Sequence, residues 1–230
     1  MAIKSLLRRV PVSVEDQAEH IRAHFPEIAR ATIPVEWSPP SPSQASWPDE
    51  GWFVVPRWET VAPTYLQAVD TVLGRIHEIS AGGFKKYLGN TANEFLRQSS
   101  DSRRFWNEVA KRQSSSDLLV VHAQLGRVNR GQSVESWAKH RRSHEVGLGA
   151  FAVGVIILTH MEHFFSRVDL DFAICCPGDH CTYESSPASL DYVPNFRFFG
   201  SGRGAGTFGL RWVWDPWPTF GMASAFFETS

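Results

Sequence analysis

The run VGLGAFAVGVIILT, from Val146 to Thr159, carries no charged side chain over 14 residues and dictates the terms on which the chain can fold. Crossing a bilayer takes about 17–25 apolar residues, and this run stops against His160, Glu162 and His163, which are costly in lipid. The rest of the chain must therefore cover it. Phe151, Val155, Leu158 and Phe165 recur at helical spacing, so Leu148 to Phe165 is expected to form a central, mostly buried helix, although glycines such as Gly149 and Gly154 weaken it. With 43% hydrophobic side chains among 230 residues, there is enough apolar mass to enclose such a helix. The same composition excludes a disordered, collagen-like or fibrous chain.

Toward the N-terminus, Ser13 followed by Glu15 and Asp16 reads as a helix cap, and Val14, Ala18, Ile21 and Phe25 continue at helical spacing until Pro26. Residues 33–49 form a Pro- and Ser-rich loop of extended polyproline character, with Trp37, Trp47, Trp52 and Trp58 in and beside it. Trp52 to Val55 predicts a short strand. Pro63 suits the first turn of a second helix, whose stripe runs from Tyr65 through Val69, Val72 and Ile76 to Ile79 and stops at Gly82-Gly83. Phe84, Tyr87, Leu88, Phe95 and Leu96 continue a helical period, and a further helix carries Phe105, Trp106 and Val109. Leu118 to Val121 begins a strand or, taken on to Leu125, a buried helix. Ser133 can cap a helix holding Val134 and Trp137. Leu170 to Cys176, Tyr192 to Phe199, Phe208 to Trp214 and Thr219 to Phe227 read as antiparallel strands.

The expected fold class is therefore α+β, with a helical first two thirds packed on a C-terminal antiparallel sheet of three to five strands. It forms a single domain over 1–230, subdivided if at all into a helical region, 1–116, and an α+β region, 117–230.

All three cysteines, Cys175, Cys176 and Cys181, fall within seven residues. An odd, clustered set cannot staple a secreted scaffold, so a reducing, cytoplasmic setting is expected. The apolar stretch before Arg8 and Arg9 is too short for a signal peptide's core. His160 and His163 lie three apart on a helix, and His180 adjoins Cys181, so six nitrogen and sulfur donors of the kind zinc takes occur close together. One alternative is thus a zinc-dependent, hydrolase-like enzyme centred on His160, His163, Cys175, Cys176, His180 and Cys181. The spacing departs from zinc knuckles, and H-M-E-H is not H-E-x-x-H. The same side chains serve equally as small core thiols and as imidazoles at a helix end.

No other cofactor is expected. Gly204-x-Gly206-x-x-Gly209 has the letters of a dinucleotide fingerprint, but the LRWVW that follows reads as a strand where a helix is required. The pairs Cys181 with His180 and Cys176 with His160, and the carboxylates Asp169 and Asp171, are the remaining catalytic candidates, with no motif to join them.

Formal charge is −1 overall but −3, +6 and −4 over residues 1–70, 71–145 and 146–230. The basic middle offers Lys85, Lys86, Arg97, Arg103, Arg104, Lys111 and Arg112 to a nucleic acid or an acidic partner, should one face present them together. A solvated helix face accounts for the same run. The nine tryptophans, among them Trp212, Trp214 and Trp217 in a Pro-rich segment, tilt the reading further. The expected function is an intracellular, non-catalytic binding protein with a protein partner and no membrane partner, the zinc enzyme and the nucleic-acid binder being the alternatives.

Overall fold

The computed structural model describes residues 12–38, 50–87, 96–165, 172–181, 192–199 and 205–227. The readings made for Arg8 and Arg9, the Pro-rich loop beyond residue 38, Leu88, Phe95, Asp169, Asp171 and residues 200–204 lie outside them. In chain order the elements are α1 (Val14–His24), a 3-10 turn (Pro26–Ile28), β1 (Glu50–Pro56), α2 (Trp58–Val61), α3 (Tyr65–Ile79), β2 (Phe84–Lys86), β3 (Arg97–Gln98) and α4 (Ser100–Arg112). There follow β4 (Leu118–Leu125), α5 (Val134–His140), β5 (Glu145–Gly147), α6 (Ala150–Thr159), α7 (Met161–Phe165), β6 (Phe172–Cys175) and β7 (Asp179–His180). The last three are β8 (Tyr192–Phe199), β9 (Ala205–Trp212) and β10 (Phe220–Phe226).

Four helices begin on hydroxyl caps. Ser13, Ser99 and Ser133 each accept a hydrogen bond at 3.0–3.1 Å from the backbone N–H three residues on, opening α1, α4 and α5. Thr64 does the same for α3, so Pro63 stands just outside the helix and not in its first turn.

The strands overturn the expected architecture. Eight of them form one large mixed sheet in the order β1-β4-β10-β6-β8-β9-β2, with β5 alongside β10, while β3 and β7 pair separately. The helices are not stacked on a C-terminal antiparallel sheet of three to five strands, because β1, β2 and β4 from the first 125 residues belong to the same sheet. Two pairings are parallel, β10 with β6 and β2 with β9. The physical reason is visible in β4: LLVVHAQL is almost wholly buried, and a strand covered on both faces needs paired neighbours on both edges, which β1 and β10 supply. The expected helix after Gly83 also gives way at Phe84–Lys86. There the backbone pairs with β9, and Phe84 stacks on Phe196 at 6.1 Å.

On one face of the sheet lies α6, packed against α3, α1 and β1. All ten of its residues are buried, so it has no polar side to turn outward. It stops at His160, and α7 takes over at Met161, so the single helix expected to Phe165 is two. Gly154 permits the contact with α3: a Cβ there would stand 2.7 Å from Val72 Cγ1. Among the described residues no helix is long and apolar enough to cross a membrane. The opposite face is covered by α5, whose Val134 and Trp137 cluster with Cys175, Val193, Phe220 and Met222. Strand alternation thus separates the adjacent cysteines, Cys175 into this smaller cluster and Cys176 into the main core.

Buried polar side chains tie the layers together. Gln17 of α1 donates to Trp52 O at 3.1 Å and accepts from Val54 N at 3.0 Å, satisfying backbone groups on the outer edge of β1. Glu145 accepts from Asn129, Trp137 and Ser224 at 2.9, 3.3 and 2.5 Å. Although burial raises its pKa, the hydrogen bonds from Ser224, Asn129 and Trp137 and from the Arg142 backbone together hold it below the usual carboxylate range.

Where β4 ends, Gly126 adopts φ +86° and lies directly on the backbone of Gly221 in β10, so a Cβ on Gly126 would meet Gly221 C at 2.6 Å. Side chains can rotate away from such a clash, but backbone in mid-sheet cannot. Gly221→Ala should therefore cost about 3 kcal/mol or more in urea unfolding. Gly209→Ala, where a Cβ meets nothing within 4 Å, should stay within about 0.5 kcal/mol of wild type.

Candidate functional site

A helix that starts inside a protein brings unpaired N–H groups with it, and α6 has no side-chain cap of its own because Gly149 precedes it. Asp179, at the start of β7 and fully buried, supplies the acceptor: its Oδ2 takes the Ala150 N–H at 2.6 Å. Tyr65, in the first turn of α3, donates its hydroxyl to both carboxylate oxygens at 2.8 and 2.9 Å. Gly149 leaves room for this meeting, since a Cβ there would lie 2.5 Å from Asp179 Oδ1. Burial pushes the Asp179 carboxyl up to about 7 against the opposing pull of the Ala150 and Tyr65 hydrogen bonds, and burial first, then the Asp179 charge, drive the Tyr65 hydroxyl well above its usual range. Tyr65 thus commits its one hydroxyl proton to the hydrogen bond with Asp179.

Tyr65 is also part of the wall of a cleft of about 350 Å³. Trp58 from α2, Trp106 from α4 and Phe151 from α6 line it too, with Gln98, Arg103 and Asn107. Arg57, at its inner edge, is committed to the last turn of α4: it donates to Ala110 O at 3.0 Å, Ser116 O at 3.2 Å and Gln113 O at 3.3 Å.

The proposed zinc ligands do not come together as one set among the described residues. His160 ends α6, held by Ile156 O at 2.9 Å and Thr159 Oγ1 at 2.9 Å and edged by Phe53; burial lowers its pKa to about 4. His163 is buried in α7 against Phe164. Cys175 belongs to the α5 face, Cys176 and Cys181 to the main core, and His180 pairs with Arg97 through the β3–β7 backbone. Among the described residues no three His, Cys, Asp or Glu side chains converge as a metal set does. The three thiols are free and buried. Burial pushes Cys175 up to about 12 and drives Cys176 and Cys181 upward too, which keeps them from acting as thiolate nucleophiles at neutral pH.

The basic residues are divided as well. Lys85 and Lys86 sit on β2 at one end of the sheet, and Lys86 pairs with Asp70. Arg103, Arg104, Lys111 and Arg112 ride on α4, which packs on β4 and β5. There Asp101 takes both Arg104, at 3.3 Å, and Arg141, at 2.6 Å.

A second surface feature stands at the end of β9. Trp212, Trp214 and Trp217 are 42%, 49% and 46% exposed. Tyr192, Trp212 and Trp214 form a continuous ledge, with ring centroids 4.1 Å and then 4.8 Å apart. The segment is braced from behind. Arg211 donates to Asp215 Oδ2 at 2.8 Å, the Trp217 indole donates to the same oxygen at 3.1 Å, and the Arg211 guanidinium lies 4.0 Å from the Phe220 ring centre and 5.0 Å from that of Trp217.

Of these features, the sequence marked Trp212, Trp214, Trp217 and Arg103. It missed Asp179, which looked like part of a Pro177-Gly178-Asp179 turn, and counted Tyr65 only as one apolar position in a stripe. An acidic residue hemmed in by Cys176, Gly178 and Cys181 was the available signal, since a carboxylate among small core residues needs donors.

A raised Asp179 makes folding favour its protonated form. That contribution is fully present below about pH 4 and is lost as pH rises through about 7, a change worth up to about 4 kcal/mol. His160 acts oppositely, its contribution present above about pH 6.5 and lost as pH falls through about 4. Asp179→Asn removes the first dependence alone. The difference in Tm between the variant and wild type should therefore move in the variant's favour from pH 5 to pH 8; a difference that stays flat across that range refutes the assignment.

Compared with protein-family models, with curated proteins and with solved structures, the chain matches none.

Proposed function

We propose that this chain is an intracellular, non-catalytic binding protein that docks a protein partner on the indole ledge at the end of β9. The observation that carries the reading is the placement of Trp212, Trp214 and Trp217, each more than two fifths exposed on a segment braced by Arg211 and Asp215. Large aromatic side chains left in water are costly unless something covers them, and tryptophan is the residue most enriched among interface hot spots. Bracing matters for affinity, because a ledge already held in place loses little side-chain freedom when a partner arrives. The candidate catalytic groups support the same reading from the other side: Tyr65 and Asp179 are hydrogen-bonded to each other and to α6, and the thiols are protonated. Neither the zinc enzyme nor the nucleic-acid binder draws comparable support, the first because no three of its residues converge among the described residues and the second because its cations are spread over β2, β3 and α4.

The test uses three forms of the full chain as bait in extracts of the source cells: wild type, Trp212→Ala with Trp214→Ala, and Lys111→Ala with Arg112→Ala. Both double variants alter exposed side chains and should unfold within a few degrees of wild type. A partner protein held by wild type and by the α4 variant, but reduced at least about tenfold with the indole variant, is the expected result. Equal recovery from all three baits, or loss confined to the α4 variant, contradicts the proposal.

A further inference from the structure

We propose that the cleft between α4 and the α2–α3 turn is a binding site for a small aromatic monocarboxylate, separate from the indole ledge and independent of it. At about 350 Å³ the cleft is within the range of small-molecule sites, about 300–1,000 Å³. Its inner wall is a run of rings, Trp58 edge-on to Tyr65 at 5.8 Å and Tyr65 to Phe151 at 6.5 Å, and Trp106 adds a further indole from α4. The middle ring of the run is held in place, because Asp179 takes the Tyr65 hydroxyl. Flat, rigid, apolar walls suit a flat aromatic body.

The polar groups choose the head. Two cations and one carboxylate line the cleft, Arg57, Arg103 and Glu59. Arg57 is occupied by three carbonyl oxygens, whereas Arg103 has no side-chain partner among the described residues. One uncommitted guanidinium matches one carboxylate, in the bidentate geometry that arginine favours. Glu59 disfavours a second negative charge. Gln98 and Asn107, also without side-chain partners among the described residues, can donate to the same carboxylate or to a ring substituent. A cationic ligand would meet Arg103, and a neutral one would leave it unanswered.

The experiment titrates 2-naphthoate into the ¹⁵N-labelled full chain and follows amide and indole resonances, with 2-naphthylmethanol as the neutral counterpart. The largest shifts should fall on the indoles of Trp58 and Trp106 and the carboxamides of Gln98 and Asn107. Arg103→Ala changes an exposed side chain; it should weaken naphthoate about tenfold and leave naphthylmethanol unchanged. Asn107→Asp, also at an exposed position, should weaken naphthoate alone by repulsion. Trp212→Ala with Trp214→Ala should alter neither ligand. The proposal fails if millimolar naphthoate shifts nothing, if Arg103→Ala binds it as wild type does, or if the shifts map to Trp212 and Trp214.

Discussion

A carboxylate lets a helix with no polar face begin in the middle of this protein. Water cannot reach the first turn of α6, so its backbone donors need a protein acceptor, and Asp179 is brought there from β7. Space for the meeting is made by glycines. A Cβ on Gly149 would strike Tyr65 and Asp179, and one on Gly178 would strike Leu148 C at 2.5 Å. The bond therefore fixes α6 relative to α3 through Tyr65, and relative to β6 and β7 through the turn that carries Asp179. Burying an acid costs free energy, and the cost here is moderated by keeping the group close to neutrality instead of pairing it with a cation.

From that anchor the two surfaces of interest follow by different routes. The cleft inherits its rigidity directly, since Tyr65 and Phe151 belong both to its wall and to the capped turn. The indole ledge depends on the far side of the sheet, where Arg211 lies over Phe220 and is tied to Asp215. The cleft is thus backed by a buried polar contact and the ledge by a partly buried one, and neither leans on the other.

Local signals were legible where a few neighbouring residues decide the outcome. Ser13 and Ser133 announced their helices, and the aromatic-rich run from Tyr192 to Phe199 announced β8. The buried character of Val146 to Thr159 was also plain, although the break at His160 was not. What stayed hidden was long-range. Nothing in Trp52 to Val55 or Leu118 to Leu125 says that these strands join the C-terminal ones, because pairing partners are chosen by tertiary packing and not by propensity. Phe84 to Lys86 looked helical because three residues cannot distinguish two periods. At the candidate sites, Trp212 and Arg103 could be suspected from residue type. Asp179 could not be given a role without knowing that Tyr65, 114 positions earlier, ends beside it.

The position of β10 has a consequence for how the chain comes to be folded at all. It is the last of the described strands in sequence, yet it lies in the interior of the sheet, with β4 on one side and β6 and β5 on the other. During synthesis on the ribosome, everything up to Trp217 emerges before the strand that joins those parts. Until Phe220 to Phe226 is free of the exit tunnel, β4 and β6 each keep an unpaired inner edge, the kind of edge that recruits strands from other chains. Completion of the sheet thus waits on the last of the described strands, and the interval before it is when a chaperone would be most needed.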